Sequence, residues 1–229
     1  MTDTGPFADI ASYQAIDRVG ELRLSPDGTR LVATVSALAD DGSKRVESLW
    51  ELDPRGDSAP RRLTWSDRGE SAPRWLPDGS LLFLSARGSD DEQAPSALWL
   101  LPAQGGEARK LVERPGGFAS LATSKDAMTV VASSATLPRT GDAGEDETLR
   151  KERKDRKVNA VLHESSPVRF WDHDLGPAEL RLLAFSVDGT DPIEGRDLTP
   201  APARALDEQS FVVSPDGRTV VTGDRKSVV

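Results

Sequence analysis

The chain has 229 residues, a formal net charge of −9 and no cysteine. Disulfides and cysteine-bound metals are thereby excluded, and the average field of an acidic chain repels DNA and RNA, so no nucleic-acid partner is expected. The hydrophobic fraction is 37% and no run approaches the ~18 apolar residues of a membrane helix, so a globular chain with no membrane partner is expected. The first ten residues carry Asp3 and Asp9, no base and no apolar run, which predicts no secretory leader and a cytoplasmic location.

The first predicted element is a strand that ends in Leu24-Ser25-Pro26-Asp27-Gly28-Thr29-Arg30-Leu31. Proline presets φ at the first turn position, aspartate bonds its own downstream backbone, and glycine accepts positive φ, so this is a tight hairpin turn. A strand follows over residues 31–36. A third carries Ser48-Leu49-Trp50-Glu51-Leu52-Asp53, and a fourth ends in Arg61-Arg62-Leu63-Thr64.

The same order then returns. Trp75-Leu76-Pro77-Asp78-Gly79-Ser80-Leu81-Leu82 repeats the turn, 81–85 the second strand, Ala97-Leu98-Trp99-Leu100-Leu101-Pro102 the third, and Arg109-Lys110-Leu111-Val112 the fourth. The steps are 51 residues from Pro26 to Pro77 and 49 from Trp50 to Trp99. A worn turn sits at Thr123-Ser124-Lys125-Asp126-Ala127-Met128-Thr129-Val130, with strands expected over 129–133 and 180–188 and an ending at Arg196-Asp197-Leu198-Thr199. A last turn, Val213-Ser214-Pro215-Asp216-Gly217-Arg218-Thr219-Val220, opens a strand over 219–222.

Four short strands at a period of roughly 40–50 residues are the mark of propeller blades. A β-sandwich also has frequent turns, but it does not repeat one turn and one strand order in register. The reading is an all-β chain: an incomplete β-propeller of four-stranded antiparallel blades. Blade one covers about 19–65, blade two about 71–113, and blade three about 118–200 with a helical insertion at 138–166. Blade four starts near 206 and stops after two strands. Known propellers close with about four to eight blades, so the arc is expected to be truncated and its open edges sticky.

Within the insertion, residues 138–147 read as a loop containing glycine and acids, and 148–162 as a helix. Glu147 precedes Lys151 by four, and Glu152 precedes Arg156 by four, the favoured order for helix ion pairs. Residues 150–157 hold six bases and two acids. Two readings stand: a solvated helix held on the propeller by Val158, Val161 and Leu162, or a basic lip that meets a second domain or a substrate. Asp172, His173 and Asp174 invite a metal reading, but neighbours on a strand point to opposite faces, and the only other histidine is His163. No metal site and no cofactor are expected. Phe170 and Trp171 are expected to pack a blade.

The basic stretch 150–157, then Val161-Leu162-His163-Glu164, then Arg169-Phe170-Trp171-Asp172-His173-Asp174-Leu175-Gly176-Pro177 resembles the third blade of the N-terminal propeller in S9 serine peptidases. These form the prolyl oligopeptidase family; the likeness is to bacterial acylaminoacyl-peptidase and dipeptidyl-aminopeptidase-like members, and it covers residues 11–223. The resemblance implies a seven-bladed propeller that restricts access of peptide substrates to a C-terminal α/β-hydrolase domain. That domain, the implied partner, lies outside this sequence. The Gly-x-Ser-x-Gly nucleophile elbow has no match here, so no catalytic residue is assigned and the chain alone is expected to be inactive. The alternative is a TolB-like or WD40-like propeller that binds a protein or peptide. Finally, residues 225–229, Arg-Lys-Ser-Val-Val, read as translated sequencing adapter and are expected not to be native.

Overall fold

The computed structural model describes residues 5, 7, 9–163, 167–171, 173–188 and 195–224. Two helices and sixteen strands form within them. A short helix, α1 (Ile10–Ala15), is capped by Asp9, whose carboxylate accepts the Ser12 amide at 2.8 Å. The strands β1 (Arg18–Leu24), β2 (Leu31–Leu38), β3 (Arg45–Leu52) and β4 (Arg61–Arg62) then make one antiparallel meander in sequence order. A second four-stranded sheet repeats that order with β5 (Ser71–Trp75), β6 (Leu81–Ser85), β7 (Ala97–Leu101) and β8 (Arg109–Val112). The third uses β9 (Phe118–Thr123), β10 (Thr129–Thr136), β13 (Glu179–Ser186) and β14 (Arg196–Asp197). Between β10 and β13 lie helix α2 (Ala143–Asp155) and a small hairpin, β11 (Arg169–Phe170) with β12 (His173–Asp174). A two-stranded sheet of β15 (Phe211–Val213) and β16 (Val220–Thr222) ends the described chain. Four-stranded antiparallel sheets in meander order are propeller blades, as the repeat predicts.

The chain divides into two compact units, residues 1–94 with 99–109, and residues 95–98 with 110–229. The core of the first unites Val32, Leu49, Leu63, Trp75, Leu81, Phe83 and Leu101. In the second, Val131, Leu182 and Leu206 are buried together, with Leu180, Leu198, Phe211 and Val220 packed against them. The first strand of each four-stranded sheet is irregular, with register shifts at Val19/Leu22, Ser71/Arg74 and opposite Ser133/Ser134. Such bulges bend a strand and raise its local twist. Strand β1 leaves Val19, Leu22 and Leu24 exposed.

The repeated turn has one chemistry. Gly28 (φ +74°) donates to the Ser25 carbonyl at 2.9 Å, and the Asp27 carboxylate accepts the Thr29 amide at 3.0 Å. Ser25 Oγ donates to Asp27 at 2.6 Å and accepts the Arg30 amide at 2.9 Å. These bonds hold the Asp27 carboxyl at a pKa of about 2, the Ser25 hydroxyl contributing most. Ser214 and Asp216 repeat the arrangement. Where leucine replaces that serine, no hydroxyl holds the extra residue. Leu76 N therefore bonds Ser80 O at 2.9 Å, whereas Ser25 N bonds Arg30 O at 2.8 Å, so the second loop closes one residue sooner.

The strand endings also have a mechanism. Thr64 Oγ1 accepts the Leu49 amide, and Thr199 Oγ1 accepts the Leu182 amide, each at 2.9 Å. The fourth strand is only two residues long in both sheets, so the threonine hydroxyl continues the ladder where backbone pairing stops.

Candidate functional site at the third-blade insertion

Helix α2 starts five residues before the predicted 148 because its acids are helical, not loop. Asp142 is the N-cap, its carboxylate accepting the Glu145 amide at 2.9 Å, and Glu145 reaches back to the Gly141 amide at 2.6 Å. The arrangement is a variant of the capping box in which the Glu145 carboxylate takes the amide before the N-cap, and Glu145 and Asp146 in the first turn suit the helix dipole. The helix also ends seven residues before the predicted 162. Lys157 adopts φ +53°, its amide donates to Lys154 O at 3.0 Å, and the Val158 amide donates to Arg153 O at 2.8 Å. That is a Schellman stop with lysine in the place usually given to glycine.

Two of the three apolar anchors expected of this helix do not hold it: Leu162 is 80% exposed and Val158 is also exposed, while Val161 is half-buried. The fastening is polar. Asp146 is 1% exposed, and its carboxylate accepts the Leu137 amide at 3.0 Å and Arg150 Nε at 3.1 Å. A terminal nitrogen of Arg150 donates to Ala135 O at 2.8 Å. From β13, Arg181, 3% exposed, donates to Thr140 O at 2.8 Å, to Leu137 O at 3.4 Å and to Asp197 at 3.2 Å. Residues 135–140 are thus gripped by one acid and two arginines. Buried ionic groups are tolerated because they are paired and hydrogen-bonded.

Arg114 lies within electrostatic reach of this network, attracted by Asp146 and Asp197 and repelled by Arg181. Burial comes first among the causes that lower its pKa. The spacing of Asp142 to Glu145 and of Asp146 to Arg150 signals the cap and the first ion pair in sequence. Nothing local ties Arg114, Arg181 and Asp197 together.

Of the six bases in 150–157, Arg150 is spent on Asp146 and Ala135, and Arg153 donates to Ala160 O at 2.9 Å. Lys151, Lys154 and Lys157 are exposed. Trp171 does not pack a blade: it is 99% exposed at the tip of the β11–β12 hairpin, with φ +48°. Asp172, the His173 side chain, Glu164 and residues 225–229 lie outside the described residues. Among the described residues, no three histidine or acidic side chains cluster as metal ligands, and no helix is long and apolar enough to cross a membrane.

The architecture defines a β-propeller. Its fold matches acylaminoacyl peptidase from Pyrococcus horikoshii with a TM-score of 0.63 at 13% identity, over 92% of this chain and 28% of that one. The AtxE2 isopeptidase gives 0.51 at 18% identity, over 93% and 39%. In sequence, the chain is 32% identical over 119 residues to an uncharacterized peptidase, YuxL, of Bacillus subtilis, matching 51% of this chain and 17% of that protein. It is 32% identical over 88 residues to dipeptidyl-peptidase 5 of Porphyromonas gingivalis, matching 38% and 13%. No protein-family model matches. In sequence the chain thus resembles two proteins named as peptidases, and in fold the propeller-containing peptidases, while the matched stretch spans less than a fifth of each sequence relative.

Proposed function

We propose that this chain is the substrate-gating propeller portion of a cytoplasmic S9-type serine peptidase. Peptide hydrolysis would belong to an α/β-hydrolase domain encoded beyond residue 229, and this chain alone would be inactive. The observation that carries the reading is the sequence match to two peptidases, together with a polar-anchored insertion between the second and third strands of the third blade. The exposed Trp171 is a surface offered to the hydrolase domain or to a peptide, since tryptophan is enriched at such contacts, and the exposed lysines of α2 supply positive charge that can steer an acidic partner.

The test uses the gene read to its own stop codon. The full product is expected to hydrolyse aminoacyl-nitroanilides and to lose activity to a serine-reactive inhibitor, while residues 1–229 alone do neither. A full product that lacks any inhibitor-sensitive hydrolysis of short peptides would favour the binding-propeller reading. Inhibitor-sensitive activity in residues 1–229 would refute the assignment of chemistry to another domain.

A further inference from the structure

Within each compact unit, neighbouring sheets stack through one repeated contact. Trp75, two residues before Pro77, packs from the second sheet onto Val32, Leu49 and Leu63 of the first. Phe211 and Val213, four and two residues before Pro215, pack from the β15–β16 sheet into the cluster that holds Val131, Leu182 and Leu198 of the third. Strand β5 accordingly lies against β1, β2 and β3, and β15 against β9. The turns are fastened as well. The Arg30 guanidinium lies over the Trp75 ring, 4.7 Å from its centroid, and donates to Gly79 O at 3.5 Å. The Asp126 amide donates to Pro215 O at 2.9 Å.

The receiving half of this contact includes a valine six residues past the turn proline, or past Lys125 in the worn turn. Val32 and Val131 hold that position and are fully buried, whereas Val221 holds it in the β15–β16 sheet and is 62% exposed. Val212 is the cross-strand partner of Val221 and is exposed on the same face. The inserting half is free on the first sheet. Leu22 and Leu24 stand at the positions of Phe211 and Val213, Leu24 also at that of Trp75, yet both are exposed. A Cβ on Gly217 would crowd Thr129 of the third sheet, whereas one on Gly28 would meet nothing within 4 Å. Leucines at inserting positions and valines at receiving positions are thus both exposed on one chain, and apolar surface of this kind marks association sites.

We propose that the β1 face of one copy of this chain, through Leu22 and Leu24, docks on the β15–β16 face of a second copy, through Val212 and Val221. The contact repeats between chains the one that joins sheets within each unit. It is heterologous, so assembly either closes into a ring or continues. The inference rests on the register of the sheets and on no hydrolytic activity, so it stands apart from the peptidase reading.

Sedimentation velocity on the 229-residue chain tests this. The wild type is expected to self-associate as its concentration rises. Leu22→Lys and Val221→Lys, both at exposed positions, should each weaken that association about a hundredfold, because the contact would bury an unpaired ammonium. Mixed in equal amounts, the two variants should form a heterodimer that grows no further, since each supplies the face the other lacks. Val158→Lys, at an exposed position of the insertion, should associate like the wild type. Mixing Leu24→Lys with Val212→Lys repeats the experiment at independent positions, so misfolding of one variant does not shelter the proposal. A monomeric wild type, mixtures that stay monomeric, or loss of association in Val158→Lys would overturn it. So would continued association of Leu22→Lys or Val221→Lys alone, which would mean that like faces pair.

Discussion

Asp146→Ala is the sharpest test of how the insertion is held. The carboxylate makes two charge-assisted hydrogen bonds, to the Leu137 amide and to Arg150 Nε. Bonds to charged groups contribute about 1.5–3 kcal/mol each when buried. The Arg150 side chain retains 31% exposure, so solvent screens its share and the second bond lies near the low end. The substitution also strands the buried Leu137 amide. A loss of about 3 kcal/mol follows, below the 3–5 kcal/mol found when one member of a fully buried pair is removed. At about 1.4 kcal/mol per decade, protection of the Leu137 amide against hydrogen exchange should fall about a hundredfold. Amides of β2 and β6 should change little if the loss is local. Asp146→Asn keeps an acceptor for Leu137 and should lose only about tenfold. Protection of Leu137 within threefold of wild type in Asp146→Ala would refute the polar anchoring of α2.

Gly116→Ala should destabilise the chain severely, by about 3 kcal/mol or more, because the new Cβ would overlap the Ala135 carbonyl; Gly28→Ala, with open space but φ +74°, should cost only about 1 kcal/mol. Urea titrations of both variants decide this, and similar midpoints would refute it. Phe83→Ala removes a fully buried ring of the first core and should cost about 3–5 kcal/mol in the same assay. The turn carboxylates give a pH signature: Asp27 drops from 3.8 to about 2 on folding, and Asp216 is lowered by the same serine and backbone bonds. Their contribution is complete above pH ~4 and fades as pH falls toward ~2. Melting temperatures across that window should decline less steeply in Asp27→Asn than in wild type, and parallel curves would count against the reading.

Much of the arc is legible in sequence because each turn states its own geometry. Proline, aspartate and glycine act locally, and strand 81–85 and the start of the strand at 31–38, expected over 31–36, follow from them directly. The insertion is harder. Its helix begins among Gly141, Gly144 and several acids, a composition that reads as loop unless the Asp142–Glu145 cap is recognised. It ends at Asp155, and the left-handed residue two positions on is Lys157, where no glycine announces such backbone. The candidate site is almost wholly illegible, since Asp146, Arg181 and Asp197 come from a helix and two strands and Arg114 from the loop between β8 and β9. Only the strand order places them in one neighbourhood.

The grip of Arg181 on residues 137 and 140 makes the insertion hard to gain or lose alone. Excising the segment and joining β10 to β13 by a short hairpin would remove two of the three acceptors of a cation that is 3% exposed. A viable deletion would therefore have to replace Arg181 with an apolar side chain in the same step. Relatives lacking the helix should carry such a residue there, so the two features form a single unit of inheritance.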